Sequence, residues 1–412
     1  MPALTVAIDT GPLIGDRTGI GQFTALLIDA LAALDELPTI VPYVLSGRAT
    51  LPSGTRRLPY PARAALAMWG RAEHPVPRRS LRGVDVIHGT NFVVPPTALG
   101  SVVTVHDCSP MTRPELVDPV VRAFVPVLRR AVARGAFVHV PSAFVGDQVR
   151  DVLAVRDDRI RVIPHGAPRT SAVSIDDSGD DGGHDGDSVG NGGDGESGSS
   201  GEDGSSLLSG SLAPLSGRAY VLALGTREPR KNLVTLVRAF GVLAAHDRDV
   251  LLALVGPPGS DDAAITAAIE ALDASARARV LVHGFVGADE RATLFRHANV
   301  LAYPSLDEGF GLPMIEAMAA GVPVVAARAG ALPEVAGEAA ALVDPLDIDG
   351  LAGALAAIVG DADRGAALRR AGLANVARFS WAASARSMVE LYRDAMASSR
   401  PARSRRTTVG DS

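Results

Sequence analysis

Short, nearly uninterrupted apolar runs separated by helix-length amphipathic stretches recur along most of the chain, and this rhythm restricts the fold more than any other feature. In the first part the runs fall at residues 4–8, 40–45, 84–88, 102–106, 137–140 and 160–163; in the second they fall at 220–224, 250–255, 280–283, 300–303 and 322–325. A strand that is apolar on both faces has to be covered on both faces, and a strand that alternates with helices is joined to the next by a crossover. The pattern therefore predicts parallel sheets held between layers of helices. Two sets of runs predict two such α/β domains, each Rossmann-like, facing one another across a cleft. A last amphipathic stretch, with Trp381, Val389 and Tyr392 as apolar anchors, reads as a terminal helix.

A change of composition separates the two sets. Between Ile175 and Ser206 there are ten acidic residues and no Lys or Arg, in a background of Gly and Ser. Such a segment has almost nothing to bury and reads as a flexible insert. It also accounts for the formal net charge of −6, leaving the remainder net positive. The division expected is a first domain over 1–170, an acidic insert over 171–217, a second domain over 218–378, a helix over 379–398 and a basic disordered tail over 399–412. With 412 residues, 47% of them hydrophobic, the chain has ample material for two cores. The single cysteine, Cys108, excludes an internal disulfide and a clustered-cysteine metal site, and no apolar stretch approaches twenty residues. With residues 4–8 reached without a basic leader, the expectation is a cytoplasmic protein; nothing points to nucleic acid.

Residues 303–325 carry the densest chemical signal. Two glutamates, Glu308 and Glu316, stand eight positions apart, the first in a glycine-rich loop after a strand and the second a turn into the following helix. Carboxylates at framed positions accept paired hydrogen bonds from vicinal hydroxyls, while Gly309 and Gly311 let the backbone come close and the amides opening a helix favour a phosphate. A ligand that is both sugar and phosphate fits these residues. Lys231 supplies a second signal. It is the single lysine of the chain, beside Arg230, in a loop that opens a helix after the strand at 220–224. A compact ammonium meets a diphosphate as a point charge where a planar guanidinium does so as a fork.

The segment that joins Ser305, Glu308, the Gly309-Phe310-Gly311-Leu312-Pro313 core, Glu316 and the trailing Gly321-Val322-Pro323-Val324-Val325 resembles the Glu-x7-Glu region of retaining glycosyltransferases with a GT-B fold, a large family containing many bacterial mannosyl- and glucosyltransferases. The pair Arg230-Lys231, the glycine loop with Gly19 and Gly21, the His106-Asp107 pair at a strand end and Gly284-Phe285-Val286 occur in the order the family has them. The resemblance covers most of the chain outside the acidic insert and the last dozen residues. It implies a GT-B fold whose terminal helix crosses back onto the first domain. It also implies transfer of a hexose from a nucleotide-diphosphate sugar with retention, without a metal.

On that reading Glu308 acts on the sugar and the transition state, His106 faces the transferred sugar from the opposite domain, and Glu316 holds the ribose. Arg230, Lys231 and the amides of Gly309, Phe310, Gly311 and Leu312 hold the departing diphosphate; Phe285 and Val286 read the base through their backbone; Gly19 and Gly21 line the donor from the first domain. The wording around Lys231 and His106 favours mannose and GDP-mannose, with a UDP- or dTDP-sugar second. The acceptor is expected to be a glycan or a polyprenyl-linked glycan. Eight arginines and one acid, Glu73, between Arg48 and Arg82, with Leu66, Met68 and Trp69 among them, form either a solvated surface or a peripheral contact with an anionic membrane. Two other classes stay open, a catalytically silent sugar-nucleotide-binding protein and another enzyme of this fold such as an epimerase.

Overall fold

The computed structural model describes residues 4–15, 19–36, 38–168, 208 and 210–399. Its strands form two sheets. The first runs β3 (Arg56–Arg57), β2 (Thr39–Val44), β1 (Thr5–Asp9), β4 (Val86–Gly89), β5 (Gly100–Thr104), β6 (Phe137–Val140), β7 (Ile160–Val162) in spatial order. The second runs β10 (Val280–His283), β9 (Leu251–Val255), β8 (Tyr220–Leu224), β11 (Val300–Tyr303), β12 (Val324–Ala327), β13 (Ala341–Val343). Every pairing in both is parallel. The reason is in the residues: β8, β9, β11 and β12 are buried along their whole length, which requires helices on both faces. In each sheet the strand order reverses once, between β1 and β4 and between β8 and β11. Loops at the carboxyl ends of those strands diverge and leave a crevice.

The last helix, Trp381–Ser399, packs on the first domain, as expected. Met388, Leu391, Tyr392 and Ala395 join Val6 and Ile8 of β1, Val86, Val102 and the helix residues Phe23 and Leu27 in one apolar cluster. Gly100 permits this approach, since a Cβ there would lie 2.5 Å from the carbonyl oxygen of Ala395. Tyr392 also heads a buried hydrogen-bond chain. Its hydroxyl lies 2.8 Å from His88 Nδ1, His88 Nε2 lies 2.7 Å from Thr104 Oγ1, Thr104 Oγ1 lies 2.9 Å from His139 Nδ1, and His139 Nε2 lies 3.0 Å from the Ile163 carbonyl. The carbonyl can only accept, so His139 Nε2 donates to it; with burial keeping both imidazoles neutral, the remaining protons point the same way along the chain.

The sequence boundary of the acidic insert needs correction at its far end. Residues 169–207 and 209, like the expected basic tail from 400 onward, lie outside the described residues. Leu208 and the 3-10 helix Gly210–Leu215 belong to the second domain, with Leu208, Leu212 and Leu215 in its core. Their four- and three-residue spacing puts all three on one face, enough apolar area to order an otherwise polar segment.

Four histidines, 88, 106, 139 and 165, are held below the ordinary value of 6.5 by burial, His139 at about 4. The unfolded chain takes up protons that these groups refuse, so their contribution is complete above pH 6.5 and is lost as pH falls toward 4. Burial also raises Asp9, to about 6, and Asp261 and Asp307, and these three carboxyls act in the opposite direction to the four histidines. The expected outcome is a lower melting temperature at pH 5 than at pH 7.5; an equal or higher one would contradict this account of the histidine cluster.

Candidate active site

At the β8/β11 reversal the chain leaves β8 through Gly225, makes the 3-10 turn Pro229–Lys231, and reaches Asn232 in the left-handed region at φ 56°. An asparagine tolerates that conformation when its amide is engaged. Here Nδ2 donates to the Pro304 carbonyl at 3.1 Å and the Pro345 carbonyl at 2.6 Å, and Oδ1 accepts from Thr235 at 2.7 Å. The turn so fixed aims two cations at one carboxylate. Lys231 Nζ is 2.5 Å from Glu308 Oε1, Arg230 NH1 is 3.0 Å from Oε2, and the Tyr303 hydroxyl donates to Oε1 at 2.9 Å. Glu308 is 7% exposed. Burial raises its pKa, but the charges of Arg230 and Lys231 outweigh burial and bring it to about 2. Burial presses Lys231 down while Glu308 holds it up, so the ammonium stays paired. Arg230 has a second, looser partner in Glu228, 3.7 Å away, so the two cations face two carboxylates, of which Glu308 holds both.

The loop after Glu308 is clamped between the domains. Ser109 Oγ donates to Asp307 Oδ2 at 2.9 Å, Ser142 Oγ to the Gly309 carbonyl at 2.7 Å, and Arg113 to the Leu306 carbonyl at 3.1 Å. Glu334 accepts from the Ala143 and Phe144 amides at 2.8 and 2.9 Å, capping a first-domain helix from the second domain. A Cβ on Gly309 would sit 1.6 Å from the His106 carbonyl oxygen. Gly309 is therefore required by the approach of the two domains, a role its sequence context did not reveal. Gly311 opens the helix Leu312–Ala319 at φ 86°. Phe310 turns its ring away from the crevice onto His165 and Phe379, at 4.8 and 5.4 Å, so only its backbone is available to a ligand.

His106 sits across from this loop, its Nε2 donating to the Thr90 carbonyl at 2.9 Å and its ring meeting Phe23 edge-on at 4.9 Å. That bond fixes the neutral tautomer with Nδ1 as acceptor, and burial keeps the imidazole uncharged. Glu316 lies beyond Gly311 and pairs with Arg291. Val286 is buried in the second core, whereas Phe285 is 42% exposed. Gly19 and Gly21 open the helix Gly19–Ala32 in the first domain; the Arg17-Thr18 part of that loop lies outside the described residues.

The structure thus brings Arg230, Lys231 and Glu308 together and sets His106 opposite them through Gly309. Three participants went unread in the sequence. Tyr303 ends β11 and was legible as an apolar strand residue rather than as a donor. Arg291 was one arginine among many. Gly330, at φ 59°, has no room for a Cβ, which would lie 2.6 Å from Glu308 N and O, while the next amide, Ala331, donates to the Glu308 carbonyl at 2.8 Å. Among the three arginine-flanked apolar residues of the first domain, Trp69 is 1% exposed and donates to the Pro75 carbonyl, so it belongs to the interior; Met68 is the exposed one.

Two family models match. Residues 218–361 match "Glycosyl transferases group 1", and residues 18–170 match "Glycosyltransferase Family 4". The O-antigen chain mannosyltransferase B of Escherichia coli is 32% identical over 169 residues, 40% of this chain and 44% of that protein. A D-inositol 3-phosphate glycosyltransferase of Nocardia farcinica is 34% identical over 194 residues, 45% of this chain and 42% of that protein. The chain thus matches less than half the length of these relatives. Sucrose-phosphate synthase from Thermosynechococcus elongatus superposes with a TM-score of 0.69 at 22% identity, over 96% of this chain and all of that one. The two facing parallel-sheet domains with their returning helix are a GT-B fold.

Gly309→Ala tests the clamped loop. With a backbone oxygen in the way, the domains must separate locally, at a cost of about 1–3 kcal/mol. The variant should melt several degrees lower and scatter with a larger radius of gyration; parent-like values in both would remove Gly309 from the domain contact.

Proposed function

The chain belongs to the glycosyltransferases of group 1 and family 4, and from that premise we propose that it transfers a hexose from a nucleotide-diphosphate sugar to an acceptor hydroxyl with retention of configuration. The observation that carries the proposal is the buried Arg230–Lys231–Glu308 cluster at the strand-order reversal of the second sheet. Cleaving a sugar from a diphosphate builds negative charge on the leaving group and positive charge on the sugar. Preoriented cations answer the first, and a carboxylate kept ionised answers the second. Arg230 and Lys231 carry out on the diphosphate the charge stabilisation that a divalent metal supplies elsewhere, which is why we assign a metal-independent reaction.

Glu308 serves twice. Before the donor arrives it compensates the two cations and holds them in place; with the donor bound, its oxygens meet the sugar hydroxyls. Tyr303 keeps the carboxylate from turning away, and the Gly330–Ala331 backbone fixes the Glu308 main chain. His106, neutral and with Nδ1 free to accept, takes a sugar hydroxyl from the other side. Glu316, oriented by Arg291, holds the ribose diol, and the exposed Phe285 and the backbone at Val286 meet the base. Mannose from GDP-mannose is the favoured donor, supported by the match to an E. coli mannosyltransferase; the acceptor is a glycan or lipid-linked glycan. Screening turnover across GDP-, UDP-, ADP- and dTDP-sugars tests the donor, and release of the product with the donor's own anomeric configuration tests retention.

The two glutamates should separate in kinetics. Glu308→Gln leaves Lys231 without its counter-ion and Arg230 with Glu228 alone, so the nucleoside diphosphate should bind at least as tightly while turnover falls about a hundredfold or more. Glu316→Gln should weaken nucleotide binding itself by about tenfold, the value of one charge-assisted hydrogen bond. Calorimetric titration set beside turnover distinguishes them; parent-like behaviour in both variants would contradict the proposal. For Lys231→Arg the charge is kept but the fork no longer fits between Glu308 and Tyr303, and turnover should fall by about tenfold or more. Unchanged kinetics there would remove the special role of the ammonium.

A further inference from the structure

Two buried arginines of the second domain have every nitrogen engaged. Arg227 gives Nε and NH2 to Asp262 at 2.6 and 3.4 Å, and NH1 to the Gly256 and His283 carbonyls at 2.7 and 3.0 Å. Arg279 gives Nε to the Ser275 carbonyl at 3.2 Å, NH1 to the Asp247 carbonyl at 2.6 Å and NH2 to the Ala244 carbonyl at 2.9 Å. That is what burying a guanidinium requires. Arg291 departs from it. Its side chain is only 16% exposed and NH2 pairs with Glu316, yet Nε is buried without a hydrogen-bond partner; NH1, which keeps access to solvent, has none either among the described residues.

The residue stands one turn into the helix Ala288–His297, which follows β10 through Gly284, Phe285 and Val286. This is the carboxyl edge of the second sheet, where the crevice lies. The guanidinium carbon is 5.4 Å from the ring centre of Phe295, a core residue four positions on, so the arm is laid against the core instead of swinging in solvent. An interior donor left unpaired costs free energy, and nothing within the domain offsets it at Nε. Nε itself is shut away from any ligand. The open end of the guanidinium, NH1 with the second proton of NH2, is not.

With the diphosphate assigned to Arg230 and Lys231 and the ribose to Glu316, the base is the part of the donor left for that open end. A planar fork asks for two acceptors side by side. Guanine has them, O6 and N7 on one edge; adenine sets an amino donor beside N7, cytosine presents an amino donor, and thymine and uracil offer O4 alone there. We propose that Arg291 selects the nucleobase, its open end meeting O6 and N7 of guanine while Glu316 holds the ribose, so that the chain takes guanine-nucleotide sugars in preference to uracil, thymine or adenine ones. This assignment rests on the transferase reading and gives its donor a physical determinant. No bond is made or broken at Arg291.

Calorimetric titration of the full chain with nucleoside diphosphates, without sugar or acceptor, tests it. In the parent, GDP and inosine diphosphate, which share O6 and N7, should bind alike, while 7-deaza-GDP, which lacks N7, and UDP should bind about tenfold or more weakly. Arg291→Leu should bring GDP, 7-deaza-GDP and UDP to within about twofold of one another. If Arg291 served only to orient Glu316, all of them would weaken by the same factor and their ratios would survive. Arg291→Lys keeps the charge beside Glu316 but reaches a single acceptor, and should bind GDP and 7-deaza-GDP alike. The analogue series on the parent needs no substitution, so it decides even where a variant folds poorly. Equal binding of GDP and 7-deaza-GDP by the parent, or a preference for GDP over UDP that survives Arg291→Leu, would overturn the assignment and leave the transferase reading standing. Binding of no nucleoside diphosphate at all would overturn both.

Discussion

A carboxylate buried between two cations governs this structure. Removing any of the three charges from water costs several kcal/mol, and the mutual attraction of Glu308, Arg230 and Lys231 offsets that cost only while their geometry is held. Much of the surrounding architecture serves that purpose. Asn232 is forced into a left-handed conformation to end the turn carrying the cations, and it is stitched to Pro304 and Pro345 so that the turn cannot relax. Gly330 is squeezed against the Glu308 backbone, and Tyr303 spends its hydroxyl on the carboxylate. A buried ion pair contributes little to stability, and its position at a strand-order reversal, where ligands of parallel sheets bind, is what the donor-site proposal rests on.

The same loop links the site to the relation between domains. Asp307 and Gly309 each make a hydrogen bond with a first-domain serine, and Gly309 touches the backbone of His106 itself. Whatever displaces the Glu308 loop therefore moves the point at which the domains meet. The neutral histidine chain and the returning helix make the first domain a rigid partner in that contact, because Tyr392 ties the helix to β4 and β5 through hydrogen bonds that run in one direction only. Rigid platforms joined by a few hydrogen-bonded loop contacts and a returning helix are suited to closing on a donor and opening to release product.

Much of this was legible in the residues, and the remainder has identifiable reasons. The parallel sheets followed from strands apolar on both faces, and the donor loop from glutamates framed by glycines. Lys231 stood out because the chain uses lysine nowhere else. What could not be read were partners brought from a distance: Arg291 for Glu316, Glu334 for a first-domain helix, Ser109 for Asp307. Each is an ordinary residue in its local context, and its meaning depends on a contact some twenty to two hundred positions away. The leucines of 208–215 were overlooked because the composition around them is that of the acidic insert, although their spacing marks one buried face. Trp69 looked like part of an exposed basic surface and proved to line an interior cavity.

The central claim is that the Arg230–Lys231–Glu308 cluster is the seat of a donor diphosphate. A crystal structure with a nucleoside diphosphate sugar bound tests it most directly. The account predicts diphosphate oxygens about 3 Å from both Lys231 Nζ and the Arg230 guanidinium, with the sugar between Glu308 and His106. A diphosphate seated elsewhere, with the ion pairs to Glu308 undisturbed, would contradict it.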